Sequence, residues 1–118
     1  MIVAGFGFRA GATPGSLSDA LARTGVAPDA LATVADKAAT PAFVDFADGR
    51  PVRSIAPAAL TRIATATESA PSRAARNTGS VAEAAALAAA GPGARLLMPR
   101  TVSGDRMATC AIAEGTDP

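Results

Sequence analysis

Apolar positions fall on both faces of the stretch from Ile2 to Phe8, with Ile2, Ala4, Phe6 and Phe8 on one side of a strand and Val3, Gly5 and Gly7 on the other. Two glycines on one face let a helix or a ligand approach the backbone closely. The period then changes. Thr13 stands as an N-cap with Pro14 at the first helical position. Leu17, Ala20 and Leu21 form a stripe at helical spacing, and Gly25 stops the helix.

Ala30 to Ala35 reads as a second short strand, ended by the polar pair Asp36-Lys37. A helix follows from Pro41, carrying Phe43, Val44 and Phe46 and ending near Gly49. Pro51 to Ile55 is a third strand, and Pro57 opens a helix with Leu60, Ile63 and Ala64. Ala66 to Gly79, with Pro71 inside it, is a polar connection long enough to suggest a functional loop or lid. Ser80 to Ala90 is an alanine-rich helix, stopped by Gly91-Pro92-Gly93. Arg95 to Met98 and Met107 to Ala113 read as strands, with Arg100 to Arg106 as a hairpin loop between them.

Strands alternating with helices imply a mostly parallel sheet of about five short strands between helices, a three-layer α/β/α sandwich. The closing hairpin turns the last strand antiparallel, so the sheet is mixed. In such open sheets the ligand crevice lies beyond the carboxyl ends of the parallel strands. The loops after Phe8 and after Ala35 emerge there. If the strand from Arg95 runs the same way, the start of the Ser80 helix joins them. Arg9, Lys37 and an open helix end would then share one rim.

Composition narrows the chemistry. The chain of 118 residues is expected to be one domain, residues 1–118. Hydrophobic residues make up 49%, but aromatics only 3%, so the core relies on small side chains with Phe6, Phe8, Phe43 and Phe46 as its bulky pieces. Eleven basic residues against ten acidic ones leave a net charge of +1, which gives no field to steer the chain to nucleic acid or an anionic membrane. With neither Trp nor Tyr, the best base-stacking residues are missing too. No apolar run approaches the ~20 residues of a membrane span, and no signal peptide precedes Ile2, so a cytoplasmic location is expected. Without histidine there is no Ser-His-Asp or Cys-His system and no imidazole metal ligand. Cys110, alone in an apolar strand, is expected to be a buried, inert thiol. No carboxylate pair has a spacing that forces an acid–base dyad, so no catalytic residue, metal or cofactor is expected.

Four local features remain. Gly5-Phe6-Gly7-Phe8-Arg9-Ala10 fits the G-x-G-x-x-A dinucleotide pattern, but its helix starts late and no isolated acidic residue clearly caps a second strand to hold a ribose. Arg9 and Lys37 are either solvated loop cations or clamps for a carboxylate or phosphate. Ser80 and Glu83 read as a reciprocal capping box at a helix end that also suits an anion. Arg100 and Arg106 are expected to guard the hairpin edge against pairing with other strands.

The chain resembles the CobE / CbiG C-terminal domain family of cobalamin (vitamin B12) biosynthesis. The resemblance runs through Gly5 to Arg9, Ala32 to Lys37, Gly79 to Leu87, Leu96 to Arg100 and Ala108 to Ala113. Family members are small three-layer α/β proteins. They stand alone or are fused to an enzyme that opens the δ-lactone of a cobalt-precorrin. The resemblance implies binding or carriage of a corrinoid or precorrin intermediate, with catalysis of a precorrin step or docking on other pathway enzymes as alternatives. On that reading Gly5, Gly7, Phe8, Arg9 and Thr13 line one part of the ligand site, and Lys37 another. Thr78, Gly79, Ser80 and Glu83 supply the helix terminus. Phe8 stands where the family usually has cysteine, and Ala39-Thr40 replaces an acidic pair, which favours binding over catalysis.

Overall fold

The computed structural model describes residues 1–63 and 80–115, and the expected loop from Ala66 to Gly79 falls outside them. Five strands form one sheet in the order β3-β2-β1-β5-β4, where β1 is Ile2–Phe8, β2 Ala30–Val34, β3 Val52–Ile55, β4 Arg95–Val102 and β5 Ala108–Glu114. β1 pairs with β2 in parallel, Val3 opposite Ala30, and β2 pairs in parallel with β3. β5 lies antiparallel to both β1 and β4, so β4 points the same way as β1. The sheet is therefore mixed, and the carboxyl ends of β1, β2, β3 and β4 share one edge.

Helices cover both faces. Helix α1 (Pro14–Ala22) and helix α3 (Pro41–Ala47) pack Leu17, Ala20, Phe43 and Phe46 against Ala4, Phe6 and Ile112 of the sheet. On the opposite face, α4 (Pro57–Leu60) and α5 (Val81–Ala90) bring Leu60, Ala84, Ala85 and Ala89 onto Val3, Ala32 and Val34. Three alanines in α5 leave no bulk between helix and strand, and Gly5 completes the close approach. A Cβ on Gly5 would sit 2.8 Å from Ala86 Cβ and nearer still to the Ala82 carbonyl oxygen.

Several expectations needed adjustment. Ala35 does not end β2 but begins a short helix, α2 (Ala35–Ala38), in which Asp36 and Lys37 lie. β4 continues to Val102 rather than stopping at Met98, so Arg100 belongs to the strand and the hairpin turn shrinks to the residues after it. Pro99 within a strand is tolerated because β4 is an edge, and the register slips between Met98 and Thr101. Thr13 caps α1 as expected, and Ser16 closes a capping box with it that the sequence did not suggest. Cys110 is fully buried, and that burial pushes its thiol pKa far above the ordinary value.

Candidate functional site

β1 and β2 keep their ladder only to Gly5 and Ala32, while both strands run on. Past that point Thr33 Oγ1 donates to the Phe6 carbonyl at 2.9 Å. On the other side Thr109 Oγ1 donates to Gly7 O at 3.1 Å. A cleft of about 1030 Å³ opens at this edge, between the ends of β1 and β2, the start of α5 and the β4–β5 turn. Its volume stands at the upper end of the range for small-molecule sites.

Four basic residues line the cleft: Arg9, Lys37, Arg100 and Arg106. Among the described lining residues none is acidic. On a chain with net charge +1 that is a marked segregation. Each cation is held by a different element. Arg9 follows β1, and its amide donates to the Met107 carbonyl at 2.9 Å. Lys37 rides on α2, with its ammonium 5.2 Å from the centre of the Phe8 ring. Phe8 in turn stacks on Phe43, ring centres 5.7 Å apart and planes 4° from parallel. The cation–π contact and the stack fix the ammonium above the aromatic core.

Arg100 lies half-buried on β4, just past the register shift that follows Met98. Behind it, Glu83 of α5 is fully buried, and its Oε2 accepts the Arg100 amide hydrogen at 2.8 Å. Only the hydroxyl half of the expected capping box is seen here: Ser80 Oγ accepts the Glu83 amide at 3.3 Å, while the carboxylate turns to the edge strand. Glu83 therefore covers an amide of the sheet edge, the task expected of Arg100 and Arg106. Both of these arginines face the cleft instead.

Arg106 closes a turn in which its amide donates to the Ser103 carbonyl at 2.9 Å. Its φ is 61°, the left-handed region that favours glycine or asparagine. The turn is pinned to α1 at two points. Ser16 Oγ donates to Asp105 Oδ2 at 2.5 Å, and the Gly104 amide donates to Asp19 Oδ2 at 2.7 Å. Hydroxyls of Ser103 and Ser16, with the Met107 amide, hold the Asp105 carboxyl down to about 2. The Gly104 amide, then Arg23, lowers Asp19 as well.

The structure thus brings Gly7, Phe8, Arg9, Lys37 and Ser80 to one cleft, along with Val81 at the first turn of α5. Gly5 faces α5, and the Thr13 side chain closes the α1 cap, so neither lines the cleft. Glu83 stands behind the wall, and Thr78 and Gly79 lie outside the described residues. A smaller hollow of about 370 Å³ adjoins, sharing Phe8 and Lys37 and continuing to Thr40 and Pro41. Arg100 and Arg106 are what the sequence reading missed. Strand alternation offered no signal for Arg100, because register shifts on both sides of Met98 reset which face each β4 residue takes. No cluster of metal-ligating side chains occurs among the described residues, and no helix there is long and apolar enough to cross a membrane.

The family model described as cobalamin synthesis G C-terminus matches residues 2–113. A solved structure of CobE, a protein from the cobalamin (vitamin B12) biosynthetic pathway, superposes with a TM-score of 0.85 at 34% identity, covering 96% of this chain and 92% of that one. The cobalamin biosynthesis protein chiG from Agrobacterium tumefaciens str. C58 superposes with a TM-score of 0.75 at 35% identity over 99% of this chain and 100% of its own. A cobalamin biosynthesis protein G homolog from Sulfolobus solfataricus shares the fold, with a TM-score of 0.68 at 18% identity over 95% of this chain and 36% of that longer one. No curated protein sequence gives a significant match.

Proposed function

Since the chain belongs to the cobalamin synthesis G C-terminus family, we propose that it binds and carries a polycarboxylate corrinoid intermediate of cobalamin biosynthesis, changing no bond in it. The observation that carries this reading is the cleft lined by Arg9, Lys37, Arg100 and Arg106 with no carboxylate among its described lining residues. Corrin precursors are broad apolar rings fringed by acetate and propionate groups, and such a fringe matches cations supplied from several sides. Bidentate guanidinium contacts suit carboxylates in particular.

Magnitudes support a moderate affinity. Contacts by exposed Arg9 and Arg106 contribute roughly 0.2–1 kcal/mol each, and those by half-buried Lys37 and Arg100 about 1.5–3 kcal/mol each. Burial of roughly 200 Å² of ring surface against Phe8, Val81 and Met107 adds about 5 kcal/mol. The gross sum is about 8–13 kcal/mol before the loss of translational and rotational freedom, and a micromolar constant corresponds to about 8 kcal/mol, so micromolar binding requires contacts at the upper end of these ranges. Carriage rather than conversion is supported by the chemistry of the wall. The whole chain has no histidine, and its one thiol is buried and protonated.

The test is a titration of the purified protein with a corrinoid polyacid such as hydrogenobyrinic acid, followed by its visible spectrum. A saturable band shift at micromolar concentration is expected, weakened about ten-fold or more in Arg100→Ala and in Lys37→Ala. Absence of any shift at tens of micromolar refutes the reading. Mass spectrometry of the released ligand should return its original mass. Turnover to a product of different mass would move the assignment to catalysis.

A further inference from the structure

We infer that the cleft reads the charge of its ligand's fringe, holding the macrocycle while the side chains around the ring are carboxylates and releasing it once they are carboxamides. This inference rests on the corrinoid-binding role proposed above. The four cations of the wall, Arg9, Lys37, Arg100 and Arg106, have only donors to offer. A carboxylate brings acceptors alone and matches them. A carboxamide turns one of its two polar atoms into a donor, which meets the donors of the wall with the wrong polarity. No carboxylate among the described lining residues is placed to receive that N–H.

The lining hydroxyls can offer an amide N–H only neutral contacts, which do not replace a charge-assisted one. Ser103 Oγ donates to Asp105, Thr33 to the Phe6 carbonyl, Thr109 to the Gly7 carbonyl, and Ser80 accepts from Glu83. Replacing a charge-assisted contact by a neutral one weakens binding about five-fold per contacted group. Two such changes give roughly 25-fold, enough to turn a bound intermediate into a released one.

The site therefore belongs upstream of reactions that condense ring carboxylates with ammonia. In such a step the carboxyl C–O bond breaks and a C–N bond forms. The oxygen leaves on the terminal phosphate of a nucleoside triphosphate that is cleaved at the same time. This chain takes no part in that chemistry; its contribution is to bind the acid and not the amide.

The experiment is a visible-spectrum titration with hydrogenobyrinic acid and with its partial and full amides, prepared chemically, at low and at high salt. The expected result is a loss of ten-fold or more from acid to full amide, with the partial amides between and the salt dependence shrinking in step. A loss under ten-fold overturns the inference while leaving corrinoid binding in place. Failure of the acid itself to bind removes both. The double variant Lys37→Gln/Arg100→Gln adds a readout that mere damage would not give: it should weaken the acid and leave the affinity for the full amide within two-fold. Equal weakening of both ligands also overturns the inference.

Discussion

Replacing Gly5 by alanine tests the contact that joins the two halves of the fold. A methyl group there would lie 2.8 Å from Ala86 Cβ and closer to two backbone atoms of α5, the Ala82 carbonyl oxygen and the Ala86 nitrogen. Backbone of a packed helix has no rotamer to escape into, so α5 must retreat by roughly an ångström to reach ordinary contact. Overpacking of this kind costs about 1–3 kcal/mol, and the rigid neighbours put Gly5→Ala at the upper end. Alanine also restricts the unfolded chain, which returns about 0.4–1 kcal/mol. The net loss is about 2–3 kcal/mol, or roughly 10 °C in melting temperature for a domain of this size.

Gly7→Ala is the internal control. Its methyl would stand 3.1 Å from Thr109 Oγ1, which a small side-chain rotation can move, and 3.1 Å from Val81 Cβ, which moves only with the first turn of α5, so the shift needed is a few tenths of an ångström rather than a full one. The expected change is within about 1 kcal/mol of wild type. Urea unfolding of the three proteins, compared by midpoint at equal slope, measures both. The reasoning fails if Gly5→Ala unfolds with the wild-type midpoint, or if Gly7→Ala loses as much as Gly5→Ala.

Other consequences are open to direct measurement. Arg106 holds a left-handed backbone at φ 61°; Arg106→Gly should leave stability unchanged or raise it by up to about 1 kcal/mol, while corrinoid affinity falls, and a clear drop in melting temperature would contradict this. Asp105 has its pKa depressed to about 2, so the stability it contributes is present above its ordinary value of 3.8 and disappears as pH falls from there towards 2. Wild type should thus be more stable than Asp105→Asn at pH 7, and the two melting curves should converge by about pH 2; a constant gap across that range would show that the carboxylate is not the cause. Glu83→Ala leaves the Arg100 amide without its buried acceptor, a loss of roughly 1–3 kcal/mol, and Glu83→Gln, which keeps a carbonyl oxygen, should recover most of it in urea unfolding. Cys110 should react with a thiol reagent only as fast as the protein opens, so its labelling rate in native buffer should track global unfolding; fast labelling would mean the strand is accessible.

The strands and helices that bury one regular face were legible in the sequence. β1 showed its two faces directly, and Thr13-Pro14 marked the start of α1 by cap chemistry alone. What escaped was decided by contacts far along the chain. Ala35-Asp36-Lys37-Ala38 carries no cap signal, and Val34 indeed supplies no side-chain cap, so nothing local announced α2. β4 looked finished at Pro99 because proline removes a ladder donor, but an edge strand needs donors on one side only. The S-x-x-E spacing at Ser80 suggested a reciprocal box, and the hydroxyl formed its half. The carboxylate instead accepts the Arg100 amide, and seventeen residues separate the two in sequence.

The arrangement also explains how an almost neutral chain gathers positive charge at one place. Three carboxylates near the cleft accept backbone amides. Glu83 takes the Arg100 amide, Asp105 takes the Met107 amide, and Asp19 takes the Gly104 amide. The ion pairs seen among the described residues, Arg23 with Asp19 and Arg95 with Glu114, leave all four cleft cations out. Each acid thereby fixes the main chain beneath a cation without neutralising it at contact distance. Anchoring and charge are supplied by different groups, so the backbone beneath the cations is held in place and binding a polyanion must order only their side chains. Were the same acids paired with Arg9, Lys37, Arg100 and Arg106, a ligand carboxylate would have to displace a protein carboxylate at each contact, and the exchange would leave almost no net affinity.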